Sequence, residues 1–221
     1  MSRSHAADQF YTRWARLYDY VSRRTPGVAA LRKETVDRMA LEPGMTVLDM
    51  GCGPGPNVPF VRRTVGPDGT ILGIDVATGA LDRAQQSNER AGWKNVHVAR
   101  ADATRPPVEE TDAIIAAFVI GMFENPAEVV DDWCDLVGSG GRIGLLHFAR
   151  SERWYGRLPN VALRTLVILS TPGKRRFSSD ATNLLDRRVI EGHAQLIERA
   201  TTFEHTTRWG GLVHVMTATI E

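Results

Sequence analysis

A glycine-rich turn behind a short apolar run is the stretch of this 221-residue chain best suited to bind a ligand. Residues 46–48 are apolar or β-branched and predict a strand. Asp49 follows, and then Gly51, Gly53 and Gly55 stand at every second position. Glycine lets a turn adopt positive φ and lets a ligand lie against bare backbone. Because two prolines suited to a first helical turn come next, we expect strand, turn and helix, with a ligand at the turn.

The rest of the chain predicts elements that place this turn at the edge of a sheet. Helical and strand periodicities alternate, which is typical of an α/β fold with a parallel sheet. Asp75 ends the second strand, 20 residues after Gly55, where a carboxylate accepts hydrogen bonds from ribose hydroxyls. We predict helices over 28–41, 57–65, 79–91, 126–137 and 186–199, strands over 46–48, 70–75, 95–100, 112–117 continued by 118–123, and 143–147, and a hairpin of 201–209 and 212–220.

Two features argue against a dinucleotide-binding dehydrogenase. The dinucleotide fingerprint places its third small residue where this chain has Pro56. The predicted antiparallel hairpin also stands where a dinucleotide fold has its second mononucleotide-binding half.

The pattern Asp49-x-Gly51-x-Gly53-x-Gly55 resembles motif I of the class I S-adenosylmethionine-dependent methyltransferases, and three further motifs follow in order. The resemblance covers roughly residues 44–148. It implies a Rossmann-like α/β fold with a seven-stranded, mostly parallel sheet in the order 3-2-1-4-5-7-6, and S-adenosyl-L-methionine as the cofactor.

Cofactor contacts follow from the same resemblance. Asp75 with Val76 resembles motif II, and Asp102 with Ala103 resembles motif III, whose aspartate bonds the adenine amino group. The full set of predicted cofactor contacts is Tyr11, Tyr18, Asp49, Gly51, Cys52, Gly53, Gly55, Asp75, Val76, Asp102, Ala103 and Phe118.

The N-terminal segment has two interpretations. Residues 7–24 carry apolar side chains at helical spacing, which is typical of an amphipathic helix packed on a domain. The string Tyr11-x-x-Trp14-Ala15-x-x-Tyr18-Asp19 also resembles the N-terminal element of phospholipid N-methyltransferases, and quinone C-methyltransferases have a related element. In that resemblance the tyrosines close over the cofactor, so the segment is predicted to be a mobile lid.

The predicted acceptor is small and lipophilic, a phospholipid or quinone head group. Residues 118–123 are apolar and lack the Asn/Asp-Pro-Pro-Tyr/Phe motif of methyltransferases that act on nucleobases or amides. His147 at the end of the fifth strand is the leading candidate base, with Tyr18 as a second catalytic candidate, although such a histidine is also common as a structural residue. The alternatives are a soluble metabolite as acceptor, or a non-catalytic module that binds the cofactor or RNA.

Charge divides the predicted single domain unevenly. The net charge is +1 overall, but +4 over residues 1–40, −7 over 41–148, +6 over 149–188 and −2 over 189–221. We divide the domain into a helical lid (1–40), a cofactor-binding core (41–148), an acceptor-side insertion (149–185) and a last helix with the hairpin (186–221). The basic flanks indicate peripheral contact with an anionic membrane surface, or solvated charge alone. They carry no nucleic-acid motif, so no nucleic-acid partner is expected.

The six histidines and two cysteines lack paired spacing, so the sequence predicts no metal site. The N-terminus has no apolar signal region, and no apolar run approaches the roughly 20 residues that span a bilayer. We therefore expect a cytoplasmic protein, peripheral to the inner face of the membrane where its basic flanks contact lipid.

Overall fold

A seven-stranded sheet runs through residues 27–151, 160–161 and 180–221, the parts that the computed structural model of the protein describes. Its strands are β1 (Thr46–Met50), β2 (Thr70–Asp75), β3 (Val96–Arg100), β4 (Ala113–Ala117), β5 (Arg142–Phe148), β6 (Ala200–Arg208) and β7 (Val213–Ile220). They lie in the order β3-β2-β1-β4-β5-β7-β6, and only the pairs that involve β7 are antiparallel. The predicted fold class and strand order are confirmed.

Helices cover both faces of the sheet. They are α1 (Val28–Arg38), α2 (Val58–Val65), α3 (Thr78–Ala91), α4 (Pro126–Val137) and α5 (Asp180–Glu198). Residues of α1 and α2 pack with β1, β2 and β4 in one cluster, whereas α4 and α5 pack over β4, β5 and β7 in another. The five residues of β4 are all buried, as expected for a central parallel strand covered on both faces.

Several turns lie beside the glycine turn, at the edge of the sheet where the parallel strands end. The carboxyl ends of β1, β2, β4 and β5 meet at this edge because these strands are parallel. Since β7 runs antiparallel to β5 and pairs Val213 with Phe148, the turn between β6 and β7 lies at the same edge. This edge is therefore where segments distant in sequence can line one site.

The prediction that residues 118–123 continue the fourth strand is wrong. Strand β4 ends at Ala117, and Phe118 adopts a left-handed conformation with φ of 64°. A short 3-10 helix, Ile120–Met122, follows. A left-handed residue turns the chain out of the sheet, so this apolar segment forms a loop at the sheet edge.

Two other predicted boundaries differ. Helix α1 ends at Arg38 instead of 41, and the last helix begins at Asp180 instead of 186, inside the range assigned to the insertion. Much of that range, and the lid segment 7–24 with Tyr11 and Tyr18, lie outside the described residues. None of the described helices combines the length and apolar character that crossing a bilayer requires.

Candidate cofactor site

The glycine turn connects β1 to α2 with its backbone bare on one side. A Cβ atom at Gly51 would lie 2.8 Å from Cγ2 of Val119, and φ of this residue is 65°, so both space and conformation favour glycine. A Cβ atom at Gly53 would meet no atom of the described residues within 4 Å. The turn is held from behind by the Cys52 N–H, which donates to the Ile74 carbonyl at 3.0 Å. The backbone at Gly53 is therefore accessible to a ligand.

Asp75 joins the end of β2 to this turn. Its Oδ2 accepts from the Gly53 N–H at 2.8 Å, and its Oδ1 accepts from the Ala77 N–H at 2.8 Å. Burial raises the pKa of this carboxyl above its usual range, and the backbone donors oppose that rise. Each carboxylate oxygen has a second lone pair, so both can also accept from a ligand hydroxyl. The role of Asp75 as a ribose acceptor stays a prediction.

Asp49 lies fully buried at the base of the turn. Its Oδ1 accepts from Asn57 Nδ2 at 2.8 Å, and its Oδ2 has no hydrogen-bond partner among the described residues. Burial raises the pKa of Asp49 to about 7, while the Asn57 hydrogen bond and the nearby Arg32 charge lower it. Asp49 therefore supports the turn from below instead of facing solvent.

The sequence analysis missed Arg32 and Asn57, which complete this network. Arg32 Nη1 donates to Asn57 Oδ1 at 2.5 Å, and the guanidinium stands 5.2 Å from the centroid of the Phe118 ring. Its side chain comes from α1 and is only 2% exposed. Arg32 lies on the inward face of α1, between Val28 and Val36. A charged residue on an otherwise apolar helix face is unusual, and this signal could have identified Arg32 from the sequence.

The remaining predicted cofactor residues divide by environment. The Cys52 thiol is buried near Gly73 and donates to the Gly53 carbonyl at 3.5 Å. Val76 is 40% exposed beside Asp75. The loop at Asp102 begins next to Asp75, because the Ala101 N–H donates to the Asp75 carbonyl at 3.2 Å.

Within that loop, Asp102 Oδ1 accepts from the Thr104 N–H at 2.9 Å, and the Ala103 carbonyl accepts from Trp133 Nε1 at 2.9 Å. The predicted residues of motifs I, II and III thus meet at one edge of the sheet, whereas Tyr11 and Tyr18 lie outside the described residues. The individual contacts to a cofactor stay predictions.

Three aromatic side chains line the neighbouring part of this edge, and we call them the aromatic wall. Phe118 after β4 stacks on Phe148 at the end of β5 with ring centroids 4.6 Å apart. Trp209 in the hairpin turn lies 6.4 Å from Phe148 and is 38% exposed. The wall offers an apolar surface near the carboxyl ends of β4 and β5.

His147 points away from the aromatic wall. It directly precedes Phe148 on β5, and successive strand residues face opposite sides of a sheet. His147 is 2% exposed, and its Nε2 lies 2.7 Å from Nε2 of His193 on α5. Burial, followed by the neighbouring histidines, holds the pKa of His147 well below its ordinary value. Its role as a base stays a prediction, and no contact between His147 and the aromatic wall is found among the described residues.

Comparisons with known proteins agree with this geometry. Residues 47–141 match the family described as a methyltransferase domain. The chain is 28% identical over 151 residues to a phosphatidylethanolamine N-methyltransferase of Cereibacter sphaeroides, covering 66% of this chain and 70% of that protein. It is 26% identical over 114 residues to a demethylmenaquinone methyltransferase of Oceanobacillus iheyensis, covering 51% and 48%. Across three other curated relatives, the chain spans between 28% and 48% of their length.

The fold itself also has solved counterparts. A crystal structure of a SAM-dependent methyltransferase from Aquifex aeolicus superposes with a TM-score of 0.57 at 20% identity, covering 89% of this chain and 94% of that one. Residues 47–141 therefore match a methyltransferase domain, and the described part of the chain has the seven-stranded fold of the class I S-adenosylmethionine-dependent methyltransferases.

Proposed function

We propose that this protein transfers a methyl group from S-adenosylmethionine to a small lipophilic acceptor, with a phospholipid amine head group as first candidate and a quinone ring as second. One observation carries the proposal: the glycine turn of the methyltransferase domain and the aromatic wall lie at the same edge of the sheet. A cofactor at the turn and an acceptor at the wall would then be neighbours.

The residues at the turn suit this cofactor. The open backbone at Gly53 admits a ligand, Asp75 offers carboxylate oxygens to ribose hydroxyls, and Val76 offers an exposed apolar side chain beside them. When bound, S-adenosylmethionine would supply an activated methyl group: the acceptor lone pair bonds to the methyl carbon in line as the carbon–sulfur bond breaks, and S-adenosylhomocysteine leaves. The protein's task is then to position the two partners and exclude water.

The wall supports a lipophilic acceptor. Phe118, Phe148 and the exposed face of Trp209 present apolar surface, and Met122 nearby in sequence is 54% exposed. An amine that arrives deprotonated needs no base from the protein, which agrees with His147 facing the other side of the sheet. The two relatives named above act on a phospholipid amine and a quinone by their names, which favours these acceptor classes.

A labelled methyl-transfer assay tests the proposal. The purified protein is incubated with methyl-labelled S-adenosylmethionine and, separately, with phosphatidylethanolamine vesicles, a demethylated quinone in detergent, and a soluble metabolite extract. We expect label in the organic phase of one of the first two reactions. Label only in the metabolite fraction would overturn the lipophilic acceptor, and no transfer to any fraction would overturn the activity.

A matched pair of tryptophan variants tests the wall. Trp209→Ala should raise KM for the lipophilic acceptor about 10-fold, since it removes a large apolar contact of roughly 1–2 kcal/mol. Trp93→Ala removes a partly buried tryptophan that packs beside α2 and should leave that KM unchanged. Equal KM values for the two variants would show that the aromatic wall does not bind the acceptor.

We further propose that the protein binds peripherally to a membrane. The basic composition of residues 1–40 and 149–188 supports peripheral binding to an anionic bilayer on the cytoplasmic side. Co-sedimentation should then be stronger with anionic vesicles than with neutral ones, and should weaken as salt is raised. Equal sedimentation with both vesicle types would remove this part and leave methyl transfer untouched.

A further inference from the structure

Four histidines from three strands and a helix meet where α5 packs on the sheet. His147 on β5 is directly paired with His214 on the neighbouring β7, His205 comes from β6, and His193 comes from α5. Nε2 of His147 and Nε2 of His193 are 2.7 Å apart, and Nε2 of His205 lies 3.1 Å from Nδ1 of His214. One ring nitrogen each of His147, His193 and His214 lies within 4.8 Å of the others. We call these three residues with His205 the histidine cluster.

The cluster has a closed end and an open end. His147 is buried, His193 and His214 are half-buried, and His205 is exposed. An ion or small ligand can therefore reach the inner imidazoles from solvent along β6, without opening the core of the sheet.

The hydrogen bonds of His214 fix the tautomer of its ring. His214 Nε2 lies 3.3 Å from the Gly211 carbonyl, so it donates there and leaves Nδ1 as the acceptor toward the cluster. Such a carbonyl contact on the outer nitrogen is how metal-ligating histidines are commonly oriented. Nδ1 of His147 is buried and has no hydrogen-bond partner among the described residues, so Nε2 is its partnered nitrogen.

We propose that His147, His193 and His214 bind one divalent first-row transition ion, with Zn²⁺ as the best fit, and that the fourth coordination position faces His205 and solvent. Three imidazole nitrogens are a common ligand set for zinc, at about 2.0–2.1 Å from the ion. Ligands of a tetrahedral zinc stand about 3.4 Å apart. The pair of His147 and His193, 2.7 Å apart, must therefore open by about 0.7 Å, and no separation must close by more than about 1.4 Å.

Binding there would add a cross-link between α5 and the hydrogen-bonded strands β5 and β7. The three ligands come from β5, β7 and α5, so the ion would fix α5 to the hairpin half of the sheet. This site does not depend on the proposed methyl transfer, since no ligand belongs to the glycine turn or the aromatic wall.

Zinc titration of the purified full chain tests the proposal. Isothermal calorimetry should show one Zn²⁺ per chain, and Co²⁺ at the same site should give visible absorption bands that Zn²⁺ removes. His193→Ala and His214→Ala should each lower the affinity about 100-fold or more, above the loss typical of a supporting residue. The control is His97→Ala, which changes an exposed histidine on β3 and should leave affinity unchanged.

Folding is checked separately, because the ligands sit near the core. Circular dichroism identifies variants that retain the fold, and saturating Zn²⁺ should raise the melting temperature of the wild type and of His97→Ala but not of the two ligand variants. If His193→Ala does not fold, His193→Gln replaces it in both measurements. Absence of stoichiometric Zn²⁺ binding by the wild type, or full affinity in a folded ligand variant, would overturn the metal site and leave a hydrogen-bonded histidine cluster.

Discussion

The two halves of the sheet build their sites from different materials. At the β1–β2 half, the backbone makes the site: Gly53 and Ala77 direct N–H groups at Asp75, and a left-handed turn exposes the main chain. At the β5–β7–β6 half, side chains make the site, and imidazoles from three strands and a helix converge on one another. The hydrogen bonds of the first site join residues at most 25 positions apart, whereas His147 and His193 in the second are 46 positions apart.

The difference shows what each kind of site requires of a sequence. A backbone site requires particular residues at fixed spacing, because only glycine adopts these conformations at low cost. A side-chain site requires only that each residue occupy the right register position, and any spacing in the chain can satisfy that. Substitutions at the β1–β2 half should accordingly act through backbone strain or through the loss of hydrogen bonds that hold the turn.

The largest effect is expected at Gly51. Gly51→Ala should destabilise the protein by about 3 kcal/mol, since positive φ costs a side chain roughly 1–2 kcal/mol and the contact with Val119 forces repacking of roughly 1–3 kcal/mol. Gly92→Ala is the matched control: its φ is 68°, but no described atom lies within 4 Å of the added Cβ. It should cost about 1–2 kcal/mol. Urea unfolding measures both, and equal losses would show that Val119 yields without cost.

A smaller effect is expected at Arg32. Arg32→Met should cost about 2 kcal/mol, because it leaves the buried Asn57 Oδ1 without its donor. Lys33→Met on the same helix removes only an exposed pair with Asp37 and should cost less than about 0.5 kcal/mol. Unfolding in urea compares the two variants. A similar small loss for both would mean that the network below the turn adds nothing to stability.

At Asp75 the expected effect is on binding. Asp75→Ala should weaken the affinity for S-adenosylhomocysteine by about 1–3 kcal/mol, since it removes a carboxylate acceptor and releases the Gly53 N–H that positions the turn. Calorimetry on Asp75→Ala and on the exposed control Asp68→Ala measures the difference, with circular dichroism to verify the fold. An unchanged affinity in a folded Asp75→Ala protein would exclude the ribose role.

The effect expected at Asp49 is a change in the pH dependence of stability. Its pKa is about 7 in the folded protein and 3.8 as the ordinary value, so the folded state binds more protons between these pH values. The contribution of this group to stability is thus full below pH 4 and is lost as pH rises through 7. Asp49→Asn cannot titrate, so its stability relative to the wild type should increase from pH 4 to pH 8. Urea unfolding of both proteins at pH 4 and pH 8 measures this change. The same stability difference between the variant and the wild type at both pH values would contradict the raised pKa.

Sequence reasoning succeeded where local requirements dominate. The alternating periodicities predicted the position of Asp75 at the end of β2, and the family resemblance based on the glycine spacing implied the strand order; the structure has both. Sequence reasoning failed where the backbone conformation depends on tertiary contacts. Phe118 leaves the sheet in a left-handed conformation that its residue type does not favour, so an apolar run that resembled strand became a loop.

The sequence by itself determined the class of fold and the glycine turn, because hydrophobic period and positive φ are properties of neighbouring residues. Only the tertiary structure decided that Arg32 reaches Asn57, and that histidines which the sequence disperses stand together. Those meetings depend on strand register and helix placement, and the pairing of His147 with His214 exists only because β7 returns antiparallel beside β5. Long-range register leaves no local pattern, so it is fixed by the folded sheet alone.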